Sequence, residues 1–150
     1  MWTEVFDDDA PAVVWLFSGA TNVDADFDGW LSSMARLDRA TAGRAAVGLL
    51  VIDDGNPPPG AAHRERLTAT ARAIRGGAPL AVVTSSSIAR GVVAALNVTG
   101  VVGFALKGFA TIDEAIAWLV LRRPTQHGAH LRALVDEARA KAVRRASTAR

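Results

Sequence analysis

With 150 residues, half of them apolar, the chain falls at the size of one ordinary domain and can bury a core without covalent staples. It contains no cysteine, which excludes disulfides, thiolate nucleophiles and Cys-ligated metals. The net charge of +2 conceals an asymmetry: Glu4, Asp7, Asp8, Asp9, Asp24, Asp26 and Asp28 precede Trp30 with no Lys or Arg among them, whereas Arg122, Arg123, Arg132, Arg139, Lys141, Arg144, Arg145 and Arg150 crowd the final stretch.

The opening Met1-Trp2-Thr3-Glu4 lacks the basic start and long apolar stretch of a signal peptide. The longest apolar runs, such as Val47 to Ile52, are too short to span a bilayer. A cytoplasmic protein without a membrane partner is expected. The cations are nearly all Arg and the small residues largely Ala, as in GC-rich genomes. The high pI alone does not argue for nucleic acid, and because Asp136 and Glu137 interrupt the basic C-terminal stretch, which has no aromatic residue, no nucleic-acid partner is expected.

In chain order, Trp2 to Phe6 reads as a weak strand that turns through Asp7-Asp8-Asp9-Ala10-Pro11 to pair with Ala12 to Phe17. Phe27, Trp30, Leu31, Met34 and Leu37 recur at helical spacing, and Ala46 to Ile52 is the next strand. After Pro57-Pro58-Pro59 comes a short helical stripe of Leu67, Ala71 and Ile74, stopped by Gly76-Gly77. Leu80 to Thr84 is a strand, followed by a helix with Ile88, Val92, Ala95, Leu96 and Thr99 as its stripe and Gly100 as its stop. Val101 to Leu106 is the last expected strand. Thr111 and Glu114 then form a capping box for a helix carrying Ile112, Ala115, Ile116, Leu119 and Val120. The strands are apolar on both faces, as under two layers of helices. An α/β domain over residues 1–121 follows, with a mixed central sheet of about five strands flanked by helices and parallel strands joined by helical crossovers. Residues 122–129 read as a linker, and 130–150 as a C-terminal amphipathic helix with a disordered tail from Arg145.

In such a sheet, ligands bind at the carboxyl ends of the strands. There the sequence places Ser18-Gly19, Asp53-Asp54-Gly55, Thr84-Ser85-Ser86-Ser87 with Arg90, and Lys107-Gly108. Asp53, Asp54, Ser85, Ser86, Ser87, Arg90 and Lys107 are thus the candidate partner- or ligand-binding residues. Each also has a plain structural explanation. Asp53 and Asp54 are turn residues before Gly55, one of the three serines must cap the following helix, and Lys107 can snorkel at its strand end. No catalytic residue, cofactor or metal is expected. His63 has no nucleophile to serve, and His127 and His130 straddle Gly128 without a third ligand. Gly55 to Gly60 lacks a GK[ST] ending, and its three prolines remove donors a phosphate would need.

Two strands, a helix and three strand–helix units, with Ala12-Val13-Val14-Trp15-Leu16-Phe17-Ser18-Gly19, Phe27 and Leu31, Asp53 with Pro58-Pro59, Ser86 with Arg90-Gly91, and Asp113 to Leu119, resemble the STAS domain of bacterial anti-sigma-factor antagonists, more closely the small myxobacterial proteins of that type. The resemblance covers about Trp2 to Leu121. It implies a non-enzymatic signalling module that binds a protein partner, often switched by phosphorylation of a Ser in an Asp-Ser-Ser-Gly-like turn. Here that turn is Asp53-Asp54-Gly55-Asn56-Pro57, with no Ser.

Two alternatives stand beside this reading. A small-molecule or lipid-binding domain of similar fold would need a cavity lined by residues such as Trp15, Phe17, Trp30, Phe104 and Trp118, which could equally just fill the core. The order Asp53, Thr84, Lys107 also resembles response-regulator receiver domains. However, only Ala10 and Pro11 separate the acidic triplet Asp7-Asp8-Asp9 from the next strand, too few for the intervening helix a receiver has. In the C-terminal helix, Leu131, Leu134, Val135, Ala138 and Ala142 form an apolar stripe within a basic surround. That stripe either docks on its own domain or, through residues 130–145, joins copies into a homo-oligomer.

Overall fold

The computed structural model describes residues 1–40, 45–75, 77–100 and 102–148. The chain runs β1 (Trp2–Asp7), β2 (Ala12–Phe17), α1 (Asp24–Ala40), β3 (Val47–Ile52), α2 (Ala61–Ala73), β4 (Leu80–Val83), α3 (Ser87–Val98), β5 (Leu106–Phe109), α4 (Ile112–Arg122) and α5 (Gly128–Thr148). The fold is α/β, with a five-stranded mixed sheet whose strands lie side by side in chain order. β1 is antiparallel to β2, with Trp2 opposite Phe17 and Asp7 opposite Ala12, and all other pairings are parallel. Gly76, Val101 and Arg150 lie outside the described residues.

Unbroken strand order has a direct consequence. Right-handed crossovers between parallel strands that always step the same way carry every connecting helix to one face of the sheet. Phe27, Trp30, Met34 and Leu37 of α1, Leu67 and Ala71 of α2, and Val93 and Leu96 of α3 accordingly share one cluster with Val13, Trp15 and Phe17 of β2. On the opposite face, Ala115, Ile116 and Leu119 of α4 join Leu131, Leu134, Val135, Ala138 and Ala142 of α5 over Val14, Leu16, Leu49 and Val51. Strands covered on both sides need no polar alternation, and β2 is buried at all six positions. Gly48 lets β3 approach closely, since a Cβ there would stand 2.7 Å from a Leu80 methyl and 3.0 Å from the Trp15 ring.

Several expectations need correction. The last strand is not Val101 to Leu106. β5 begins at Leu106, which pairs with Leu80, and ends at Phe109, opposite Val83. Before it Phe104 is buried without lying in a strand, tucked into the α1–α3 side of the core with the partly buried Val102 beside it. The α3 stripe is also different. Leu96 of the expected stripe does pack inward, but Ile88 and Val92 are 81% and 56% exposed, and Val93, outside that stripe, lies beside Leu96 against the core. Ile88 and Val92 are as apolar as Val93, so apolar spacing alone does not say which of them faces the sheet.

Of residues 122–129, expected as a linker, Arg122 ends α4 and Gly128 already begins α5, and the tight turn of residues 123–127 between them is anchored by the buried Gln126. Its amide nitrogen donates to Pro11 O at 3.2 Å and Ala45 O at 3.0 Å, tying the α4–α5 connection to the amino end of the sheet. From there α5 packs along β1 and β2, so the stripe considered for oligomer contact is covered by the chain's own sheet. The helix continues to Thr148, past the expected start of a disordered tail at Arg145. At its first turn the His130 Nε2 lies 2.9 Å from the Asp7 carboxylate. Asp7 also accepts the N–H groups of Asp9, at 2.8 Å, and Ala10, at 3.3 Å.

Two outcomes follow. Leu131 is 1% exposed, so Leu131→Ala should lower unfolding stability by about 2–5 kcal/mol in urea titrations, whereas a helix merely lying on the surface would lose less than about 0.5 kcal/mol. Asp7 has its pKa held below the ordinary value of 3.8, chiefly by the Asp9 N–H, against the opposing effect of partial burial, with the Ala10 N–H and His130 adding to the lowering. The folded carboxyl therefore binds fewer protons than the unfolded one. Its contribution is fully present above 3.8 and disappears as the pH falls through the lower folded value. The melting temperature of Asp7→Asn should lie below wild type at neutral pH, and the gap should close on acidification below that range.

Candidate functional site

Three turns rise from the carboxyl ends of β2, β3 and β4. After β2, Ser18-Gly19 leads to Asn22, and after β3, Asp53 to Asn56 forms a turn closed by the Asn56 N–H on Asp53 O at 3.1 Å. Gly55 adopts φ of +79°, a left-handed conformation that glycine takes without steric cost. The two loops are joined by a reciprocal amide pair: Asn22 Nδ2 donates to Asn56 Oδ1 at 2.9 Å, and Asn56 Nδ2 to Asn22 Oδ1 at 3.0 Å. Asn56 also donates to Gly19 O at 3.0 Å. Neither asparagine stands out in the sequence, because Asn56 between Gly55 and Pro57 reads as a turn residue and Asn22 has no local signature, its partner lying 34 positions away.

Asp53 and Asp54 are engaged separately. Strand alternation directs Asp53, after Leu49 and Val51, to the face covered by α5. There its carboxylate lies 3.5 Å from the Arg139 guanidinium. In the sequence Arg139 is only one of the basic residues around the α5 stripe, since nothing there says that α5 passes over this edge. The exposed Asp54 instead accepts the Ser85 hydroxyl across the gap between the β3 and β4 turns.

The serine triplet divides its labour. Ser86 is the N-cap of α3, its Oγ accepting the Ala89 N–H at 3.2 Å, while its own N–H donates to the buried Thr84 Oγ1 at 3.2 Å. Ser85 and Ser87 are exposed. The loop after β4 turns to the α3 side and the chain after β5 turns to the α4 side, so the connections of these two strands diverge at the edge. Arg90 bridges the two strands there. Its Nη1 donates to Thr84 O at 2.7 Å and Ser85 O at 2.9 Å, and its aliphatic stem lies against Gly108, where an added Cβ would meet Arg90 Cγ at 3.2 Å.

Lys107 does not join this group. With β5 starting at Leu106, Lys107 pairs with Ala81 near the beginning of β4, and its Nζ stands 5.4 Å from the Phe109 ring centroid. Asp53, Thr84 and Lys107 therefore do not converge as a receiver requires: Asp53 faces α5, Thr84 follows Val82 toward the α1–α3 side, and Lys107 sits well below the edge. The triplet Asp7-Asp8-Asp9 lies at the β1–β2 turn, at the other end of the sheet from Asp53. Among the described residues no group of three or more His, Cys, Asp or Glu side chains could hold a metal.

The five aromatics considered as a cavity lining are divided between the two faces. Phe17 contacts Phe27 and Trp30 with ring centroids 5.6 and 5.3 Å apart on one face, whereas Trp118 meets Phe109 on the other. The void beside Trp15, Met34, Leu37 and Phe104 measures about 20 Å³, the size of a water molecule rather than a ligand. No described helix is long and apolar enough to cross a membrane. No protein-family model, curated protein or solved structure matches the chain.

The two roles within the triplet separate by substitution. Ser86→Ala removes the cap and should cost about 1 kcal/mol; Ser85→Ala and Ser87→Ala should each stay within about 0.5 kcal/mol of wild type in chemical denaturation.

Proposed function

We infer that this chain is a cytoplasmic, STAS-like regulatory module, without catalytic activity of its own, that binds a protein partner at the carboxyl edge of its sheet. The observation that carries the reading is the character of that edge. Asp54, Ser85, Ser86 and Ser87 are exposed together on short turns, and the turns are braced by the Asn22–Asn56 pair and the Arg90 contacts. Polar groups held rigidly on an open surface suit a protein interface. Small ligands are usually received in concave cavities of about 300–1,000 Å³; the void beside Trp15 is far smaller, and the space of about 420 Å³ along Arg64, Glu65, Thr68 and Arg72 is an open groove on the surface of α2 alone. The arrangement of a strand pair, a helix and three strand–helix units in unbroken spatial order supports the resemblance to STAS domains.

Within this reading Asp53 and Asp54 supply fixed negative charge where related switches carry a phosphorylatable Ser. Arg139 neutralises the first, leaving Asp54 and its Ser85 neighbour as the polar centre of the contact. The test is affinity capture from the native host with wild type and an Asp54→Lys/Ser85→Lys variant as parallel baits. A protein retained by wild type and lost from the variant, whose melting temperature is unchanged, is the expected result. Capture of nothing by wild type, or of the same proteins by both baits, would reject the assignment.

A further inference from the structure

Lys107, set apart from the carboxyl edge, has neighbours of its own. β5 turns tightly into α4, which runs back toward the amino edge of the sheet, where its C-cap Arg123 reaches Gly77 O at 3.0 Å. Lys107 and Phe109 project from the α4 face of β5. The Phe109 ring meets Trp118 with centroids 5.6 Å apart, and the Arg122 guanidinium lies 5.1 Å over the half-buried Trp118. From these paired rings, two residues back along β5 spans about 6.6 Å, and four residues on along α4 spans about 6 Å in the same direction. The exposed Lys107 and Arg122 cations therefore stand at one level beside an aromatic floor. Arg36, Arg66, Arg132 and Arg139 rest against carboxylates. Lys107 and Arg122 meet only aromatic rings among the described residues. Glu114, earlier on α4, is about 12 Å from Arg122 along the axis.

β5 is also the outermost strand. Ala105 O accepts the Leu80 N–H at 2.8 Å and Phe109 O the Thr84 N–H at 3.1 Å, so Lys107 and Phe109 bond inward to β4, whereas the N–H and C=O of Leu106 and Gly108 point outward. At the opposite margin, Trp2 of β1 has its N–H accepted by Asp26 at 3.1 Å and its C=O bonded by Arg145 at 2.8 Å. Among the described residues nothing bonds to the outward groups of Leu106 and Gly108. We propose that the β5 margin receives an extended acidic segment of a partner protein as a sixth strand. Such a strand bonds to Leu106 and Gly108 and repeats its side chains on one face about every 6.6 Å. Acidic residues at alternate positions then come beside Lys107 and Arg122. The unpaired cations define the charge of the occupant, and the unpaired backbone its extended shape. This contact goes beyond the carboxyl edge, since neither Asp54 nor Ser85 takes part in it.

An amide-resolved NMR titration with blocked octapeptides tests it. A peptide of alternating valine and glutamate should shift the Gly108 amide and Trp118 indole signals saturably by about 1 mM. One of alternating valine and lysine should bind at least about tenfold more weakly. Lys107→Glu/Arg122→Glu, altered at exposed positions, should keep its melting temperature and reverse that preference. Asp54→Lys/Ser85→Lys should bind the acidic peptide as wild type does, which separates this margin from the carboxyl edge. An equally charged acidic peptide with a central proline, which breaks the strand ladder, should lose binding. Absence of binding by either peptide, equal binding of both, an unreversed preference or full binding of the proline peptide would each overturn the proposal. So would the same shifts produced by inorganic phosphate or by concentrating the protein alone, since the margin would then take an ion or a second copy.

Discussion

β2 is the strand against which both helical layers are positioned, and a polar clamp fixes its relation to α1. Trp15, fully buried in β2, donates its indole N–H to Ser33 Oγ of α1 at 2.6 Å, and that hydroxyl in turn donates to Glu4 on the neighbouring β1. Glu4 and Trp15 are cross-strand partners, so the clamp spans two strands and a helix through one hydroxyl. Arg36 completes it, 3.7 Å from Glu4 and stacked 3.8 Å over the Phe6 ring. A buried indole N–H left without an acceptor costs about 1–3 kcal/mol, so Ser33 defines the rotation and height at which α1 can sit. The apolar contacts of Phe27, Trp30, Met34 and Leu37 then fill in around a register already chosen by hydrogen bonds.

The same strand order that simplifies the fold restricts where chemistry can occur. Three successive connections leave the sheet toward one face, so the turns after β2 and β3 bend together and are stitched by their asparagines instead of parting around a ligand. Where β4 and β5 connect to opposite faces, the Arg90 side chain bridges the strand ends with hydrogen bonds to the Thr84 and Ser85 carbonyls. What is left is a rigid, solvated rim, with Asp54 and the exposed serines displayed outward.

Much of the architecture was legible because it rests on local signals. Apolar runs bounded by Gly, Pro and Asp located β1 to β4, and Thr111 marked the start of α4, where its hydroxyl accepts the Glu114 N–H at 3.3 Å. The edge positions of Asp53, Asp54 and Ser85 to Arg90 followed from strand ends alone. Errors arose where burial and geometry come apart. Val102 and Phe104 are apolar because they pack under the sheet, not because they extend, and this shifted β5 and carried Lys107 to a false position. The α3 stripe held at Leu96 but not at Ile88 and Val92, which are as apolar as the inward Val93. Long-range pairings such as Asp53 with Arg139 had no local signature, since they depend on where α5 ends its path.

Gln126 and α5 also bear on the order in which the chain can acquire its structure. The glutamine bridges to Pro11, 115 positions earlier, and Arg145 reaches the Trp2 carbonyl across 143. During synthesis every strand is therefore made before the helix that shields one side of β1 and β2 has emerged, leaving Val14, Leu16 and their neighbours facing water in the nascent chain. Contacts so distant in sequence slow two-state folding, and the delay leaves an adhesive apolar sheet for chaperones or for other nascent chains to find.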